Sequence, residues 1–421
     1  MAGADPAACL GVPRPAVLAR ASGSSTVRML ARSAWQAHSA VRVTIAASST
    51  LTVSVLPVFL VGALAGPIGV DLGFGSAGTG LAITAFFAAG AVTAVPMGRL
   101  TERLGATVTM RAGVALSGST TLAIGLLVDA WWHLAALLAL AGCSVGLADT
   151  GGARSFADAI RTGRHGLAFA AKEASVPAAS MLAGFSIPLL AERFGWTWAF
   201  VVGACLAPVV VLLIPPAART GRHEGPVDAA AGRPKALMWL AIGVAVAAAA
   251  SNAAATLFVP AMTDVGWSAG SAGALLALAS IVTMGTRLVL GWASDQVPAA
   301  TWWHLAGAIS LGAVGAGLLA GASAGPLIPV GTILVLGAGW GWSGLAFLSA
   351  VRAAPRTPAV AAGVVLTSLA AGGASGPAAF GLIAERASYT ASWVTCAAAF
   401  VVAAILTGFS GHARPSGGTG P

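Results

Sequence analysis

The chain has 421 residues, 57% of them hydrophobic and only 8% charged, with a mean hydropathy of +0.88. Soluble domains carry roughly 25% charged residues, so composition excludes a soluble globular protein and points to a polytopic helical membrane protein. The formal charge of +9 does not imply a nucleic-acid partner, because the basic residues stand singly between apolar segments and form no patch.

In chain order, residues 1–41 are Arg-bearing, poor in acids and weakly periodic, and read as a disordered cytoplasmic tail. Apolar runs long enough to cross a ~30 Å hydrocarbon core follow. The first six cover about 42–65, 77–98, 107–128, 132–154, 166–190 and 196–215. A polar linker, "PAARTGRHEGPVDAAAGRPK" at 216–235, separates them from six more. These cover about 236–260, 270–292, 302–322, 327–350, 360–383 and 389–409, and a short tail occupies 410–421. The expected domains are therefore six-helix bundles at 42–215 and 236–409, joined by the linker.

A repeat supports that division. "DLGFGSAGTG" at Asp71 returns as "DVGWSAGSAG" at Asp264, "GRLTERLG" at Gly98 as "GWASDQVP" at Gly291, and "AERFGW" at Ala191 as "AERASY" at Ala384. All three pairs are 193 residues apart and in the same order. An even number of spans per repeat keeps both halves parallel, as in transporters whose halves are related by an axis along the membrane normal. Loop charge sets the orientation: Arg99, Arg103, Arg161, Arg164, Arg219, Arg222, Arg233 and Lys235 share one side, with only Arg193 and Arg386 opposite, each beside a glutamate. Basic loops stay cytoplasmic, so both termini are expected inside, in a cell (inner) membrane.

Cys9, Cys143, Cys205 and Cys396 show no metal-ligand or CxxC spacing, and no disulfide, metal or cofactor is expected. The two "WWHLA" strings at 131 and 302 are 171 residues apart and fall on opposite faces, so they read as interfacial tryptophan anchors rather than a histidine pair.

"GRLTERLGATVTM", in the short loop after the second span, resembles the loop motif G-x-L-x-D-R-x-G of the major facilitator superfamily through Gly98, Leu100, Arg103 and Gly105, with Glu102 in place of Asp. The copy at Gly291 keeps Asp295. "TRLVLGWASD" is similar to that family's eighth helix, with Arg287 at its usual arginine, and "FGWTWAF" to its entry to helix 6. The resemblance covers about 42–409 and implies a monomeric secondary transporter of a small solute, coupled to an ion such as the proton, rather than an enzyme. Two departures count against a drug–proton antiporter: Leu138 stands where such pumps carry an arginine on helix 4, and helix 5 keeps Pro177 without its glycines.

The loop motif also has a direct physical reading. Glycines let helix ends approach, and a carboxylate at 102 suits the N-terminus of a helix in the other half. Arg103 is expected to pair with Asp158, with Arg154 in the same latch network and Gly291, Asp295 and Arg287 as its part in the second half. At depth lie Asp149, Lys172, Glu173, Arg287 and Asn252. A mid-bilayer charge costs about 2.5–3.5 kcal/mol on insertion scales, so it faces a cavity or a partner. Adjacent Lys172 and Glu173 point ~100° apart on a helix. The sequence thus assigns Lys172 to a central cavity as an anion-binding cation, with Glu173 or Asp149 as the titrating or pairing group and Asn252 and Ser343 lining the second half; Trp340 and Trp342 read as lipid-facing or core side chains more readily than as lining. No nucleotide loop, HExxH or GxSxG is present, so ATP coupling and hydrolase chemistry have no visible site.

Overall fold

The computed structural model describes residues 41–159, 165–216, 234–322, 325–354 and 357–412. The expected N-terminal tail, nearly all of the linker and most of the C-terminal tail lie outside the described residues. Twelve helices are long and apolar enough to cross a membrane. The first six are α1 (Val41–Ala63), α2 (Ser76–Leu104), α3 (Ala106–Leu127), α4 (Trp131–Gly152), α5 (Phe169–Phe194) and α6 (Trp196–Leu213). The others are α7 (Lys235–Thr256), α8 (Ala269–Gln296), α9 (Pro298–Gly321), α10 (Leu327–Ala353), α11 (Val360–Arg386) and α12 (Tyr389–Ser410). Every predicted span is present, with ends shifted by a few residues; α4 continues as helix to Ala159.

Alternation of spans puts the entry to α1 and the exit from α12 on one face, termed the N/C face. Centrally placed α10 and α1 are the most enclosed, 83% and 78% buried over their apolar windows. Lipid tails are as apolar as leucine, so close packing and interhelical hydrogen bonds must hold helices together. The contacts are of that kind. A Cβ on Gly142 of α4 would fall 2.1 Å from the Phe86 carbonyl oxygen of α2, and one on Gly376 of α11 only 2.0 Å from that of Ala249 on α7. Hydroxyls add cross-links: Ser117 to the Val53 carbonyl at 2.8 Å, Thr84 to Ala374 at 2.6 Å and Thr283 to Leu336 at 2.5 Å.

The 193-residue repeat is visible in these crossings. On the face opposite the termini, a Cβ on Gly80 of α2 would lie 2.3 Å from the Pro377 carbonyl oxygen of α11. Its counterpart on Gly273 of α8 would lie 2.6 Å from that of Gly184 on α5. Both residues of the second contact are equivalent, at the 193 offset, to those of the first. The two halves therefore meet along α2/α11 and α5/α8. On the N/C face the symmetry fails. Gly291 of α8 touches Gly166, its Cβ position 2.7 Å from the Gly166 oxygen, whereas the equivalent Gly98 of α2 meets nothing nearer than Thr150 at 3.8 Å, within its own half.

The Trp–Trp strings do not form a histidine pair. Trp132 and Trp303 are 62% and 68% exposed, His133 pairs with Asp129, and His304 Nδ1 lies 3.1 Å from the Ser294 hydroxyl.

Candidate functional site

Two helices beside the central cavity are interrupted, and each interruption has a cause in the sequence. Pro177 has no N–H to give the carbonyl four residues earlier, that of Glu173. The helix His165–Glu173 accordingly ends there, and Ser175–Ser186 resumes after a turn at Ala174. In α10 the run "GAGWGWSG" follows a π-helical stretch, Ile333–Ala338, and the chain turns through Gly339–Trp342 before helix resumes at Ser343. Each break frees a carbonyl among buried side chains, where an acceptor left unpaired costs about 1–3 kcal/mol.

Arg287 of α8 serves both breaks. Its Nη1 donates to the Glu173 carbonyl and its Nη2 to the Trp340 carbonyl at 3.0 Å, and the guanidinium lies 5.5 Å from the centre of the Trp340 ring. Only 2% of Arg287 is exposed, and its Nε has no acceptor among the described residues. One cation thus joins discontinuous α5 of the first half to discontinuous α10 of the second.

Around it lie the other charges. Lys172 Nζ is 2.5 Å from Asp149 Oδ1 and 3.7 Å from Glu173 Oε1; Glu173 Oε2 is 3.8 Å from Arg287 Nη1 and accepts from the Ser343 hydroxyl at 2.9 Å. The order is Asp149–Lys172–Glu173–Arg287, alternating in sign and running from α4 through α5 to α8. The charges sum to zero when all four are ionised. Burying any of them alone would cost several kcal/mol, so the chain of pairs is what makes the cluster tenable. Lys172 also lies 5.4 Å from the centre of the Phe347 ring, which stacks on Phe169.

A cavity of about 330 Å³ opens beside this network, near the lower end of the ~300–1,000 Å³ usual for ligand pockets. Its apolar wall includes Leu51, Val55, Phe59, Phe86, Phe87, Trp340, Trp342, Leu366 and Leu369. Its polar residues are Asp149, Thr150, Glu173, Asn252, Arg287, Ser343 and Thr367. Asn252 gives its amide N–H to the Ala248 carbonyl at 2.9 Å, which leaves its side-chain oxygen as an acceptor, and Trp342 Nε1 donates to Ser251 at 3.1 Å.

The sequence-assigned residues are thus partly gathered. Asp149, Glu173, Asn252 and Ser343 line the cavity, and so do Trp340 and Trp342, which the sequence placed more readily in the core or against lipid. Lys172 is turned onto Asp149 instead of forming part of the lining, and Arg287, grouped with the loop latch from sequence, belongs to this mid-membrane network. Lys172 and Glu173, expected to diverge by their helical spacing, come within 3.7 Å at their charged ends because both side chains are long enough to bend toward each other.

The latch expectation has two outcomes. Asp295, at the N/C end of α8, accepts from the Gly166 and Leu167 N–H groups at 2.8 and 3.0 Å, a carboxylate on the first turn of a helix in the other half. Glu102 and Arg103, the equivalent end of α2, are exposed and reach no partner among the described residues; Gly105 follows with φ +86°. Arg154 and Asp158 fall in the last turns of helix before residue 160, and their side chains lie outside what is described.

The sequence profile of the Major Facilitator Superfamily matches residues 43–377. No curated protein matches the chain. Among solved structures, it is similar to a bacterial homologue of the human lysosomal transporter Spinster in an inward-facing, unoccupied conformation, with TM-score 0.65, 17% identity, 89% of this chain and 97% of that one covered. It is also similar to the nucleoside transporter NupG, with TM-score 0.68, 14% identity, 88% of this chain and 99% of that one covered. At these identities the likeness concerns the fold. With twelve spans, a repeated half and a profile match over most of its length, the chain belongs to the Major Facilitator Superfamily.

Proposed function

We propose that the chain is a secondary active transporter of the cell membrane that moves a small organic solute through this cavity by alternating access. The bodies that rock are 42–215 and 236–409, and the N/C face is cytoplasmic, where the basic loops lie. The observation that carries the reading is the four-charge network at the cavity wall, which joins broken helices of both halves through Arg287. Transporter sites are typically built from such discontinuous helices.

The favoured solute has a zwitterionic or anionic head and an apolar body. The apolar and aromatic wall takes the body. A bare anion must displace Asp149 from Lys172 or Glu173 from Arg287, whereas a zwitterion exchanges one pair for another without leaving a charge unmatched. "GLAFAAKEA" at 166–174 is similar to a helix 5 pattern, G-L-A-x-G-x-K-Q, of cyanate-type permeases, but Glu173 stands in place of its Gln, so that similarity transfers a substrate only weakly. Asp149 and Glu173 are the carboxylates on which a coupling proton would sit, since protonating either frees its cationic partner for the solute. Glu102 acts in the other half of the cycle: by equivalence with Asp295 it docks on the Ala359 and Val360 N–H groups when α2 and α11 close on the N/C face.

A second reading, efflux of drug-like compounds in exchange for protons, is favoured by the aromatic lining. Thermal-shift measurements on purified protein separate the two, with wild type beside Lys172→Ala and with phenylalanine, benzoate and tetraphenylphosphonium as probes. Stabilisation by phenylalanine or benzoate that is lost in the variant supports the first reading. Stabilisation by tetraphenylphosphonium alone, indifferent to Lys172, replaces it with the second.

A further inference from the structure

The repeat "AERFGW"/"AERASY" has no part in the cavity, yet it places two carboxylates at equivalent points on the face opposite the termini. Glu385, at the end of α11, accepts from the Ala77 N–H at 2.9 Å, in the first turn of α2. The N-cap of that helix is Gly75, which supplies no side chain, and a Cβ there would stand 2.8 Å from Glu385 Oε2. Glu192, at the end of α5, is the residue 193 positions earlier. Its carboxylate oxygens lie 2.5 and 2.8 Å from where a Cβ on Gly270 would be, and Gly270 is the second residue of α8 and the counterpart of Ala77.

Each glutamate therefore crosses from one half to the helix start of the other, at the α11/α2 and α5/α8 seams where the backbones also touch. A carboxylate on a first turn is favoured by the unpaired N–H groups and the dipole, and glycine leaves room for it. Ser76 and Tyr389 hydroxyls, 2.5 Å apart, add a second tie at the first seam.

We propose that Glu192 and Glu385 are positioning residues of the transport cycle, a duplicated latch that holds the face opposite the termini closed and releases at both seams when the cavity turns to that side. The pattern of contacts fits this division. Both seams are shut where both glutamates are seated, whereas on the N/C face only the seam with Asp295 in place is shut and the seam of unengaged Glu102 is apart.

The inference rests on alternating access, and the test separates the two. With Cys9, Cys143, Cys205 and Cys396 replaced by alanine, spin labels at the exposed Val70 and Ser388 report the opposite face, and labels at the exposed Arg99 and Val360 report the N/C face. In Glu385→Gln a neutral hydrogen bond replaces the charge-assisted one to Ala77, and in Glu192→Gln the negative charge beside the first turn of α8 is removed. Each is expected to raise the ratio of long to short Val70–Ser388 distances about fivefold, and the double variant to raise it further. Gly270→Ala, which keeps the charge but puts a methyl group where the carboxylate sits, is expected to act in the same direction. Glu102→Gln, which weakens closure of the N/C face instead, is expected to move the same ratio in the opposite direction.

Alternation seen in wild type but unaltered in the double variant and in Gly270→Ala overturns the latch and leaves the transporter reading standing. A single distance on both faces under every condition overturns both. Monodispersity and unchanged melting of the Glu→Gln variants exclude misfolding as the source of a shift.

Discussion

Replacing Arg287 by leucine removes one guanidinium and strands three groups at once: the Glu173 carbonyl that Pro177 cannot bond, the Trp340 carbonyl and the Glu173 carboxylate. Breaking a buried ion pair by deleting one partner costs about 3–5 kcal/mol, and a buried acceptor left without a donor costs about 1–3 kcal/mol. The broken helices can relax toward one another, so the sum is an upper bound, and a loss of about 4 kcal/mol is expected. Reversible unfolding in mixed micelles, followed by circular dichroism, measures it. Arg287→Lys keeps the charge but cannot reach two carbonyls with a planar fork, and about half the loss is expected. Adding Glu173→Gln to Arg287→Leu removes the orphaned charge, so the double variant should be more stable than the single leucine variant. If Arg287→Leu unfolds within 0.5 kcal/mol of wild type, on the scale of ordinary surface substitutions, the clamp is not what joins α5 to α10.

Further outcomes follow from the same geometry. Asp149→Asn leaves Lys172 with Glu173 alone and is expected to abolish the acidification or alkalinisation that accompanies solute movement in proteoliposomes; retained proton movement assigns coupling elsewhere. Gly166→Leu puts a side chain where the Cβ position is already 2.5 Å from the Gly291 oxygen, so α5 and α8 should be held apart on the N/C face, read as faster alkylation of a cysteine placed at Val145. Trp340→Ala removes a ring that covers Arg287 and meets Phe59 at 5.7 Å. It should weaken binding of an aromatic probe by about 1–3 kcal/mol, while an aliphatic probe of the same charge loses less.

The architecture was legible because membrane spans are written in uninterrupted apolar runs, and because a repeat at a constant offset gives the pseudo-symmetry directly. The same offset pairs Gly80–Pro377 with Gly273–Gly184, contacts that no single span could announce. The site was half legible. Asp149, Lys172, Glu173, Arg287 and Asn252 stand out as polar residues at depth, but which of them meet depends on how helices rotate about their axes, and apolar periodicity does not set that in a bundle with lipid on one side and small residues on the other. Lys172 was therefore assigned to the cavity, when its ammonium is engaged by a carboxylate on the neighbouring helix. The role of Arg287 had an unread signal: Pro177 lies four residues after Glu173 and must free that carbonyl, and the glycines of "GAGWGWSG" mark the second break. Two freed and buried carbonyls call for a donor, and Arg287 supplies a forked one that reaches both.

The central claim is that one cavity opens in turn to the two faces, and a single cysteine at Val145, on the cavity wall, tests it most directly. In oriented vesicles, with the native cysteines replaced, a membrane-impermeant thiol reagent is added to one side or the other and the labelled fraction is followed over time. The account predicts that every copy is labelled from either side, with slow kinetics from the face opposite the termini and no leak of ions through the unmodified protein. Labelling from the N/C side alone, however long the exposure, would contradict it.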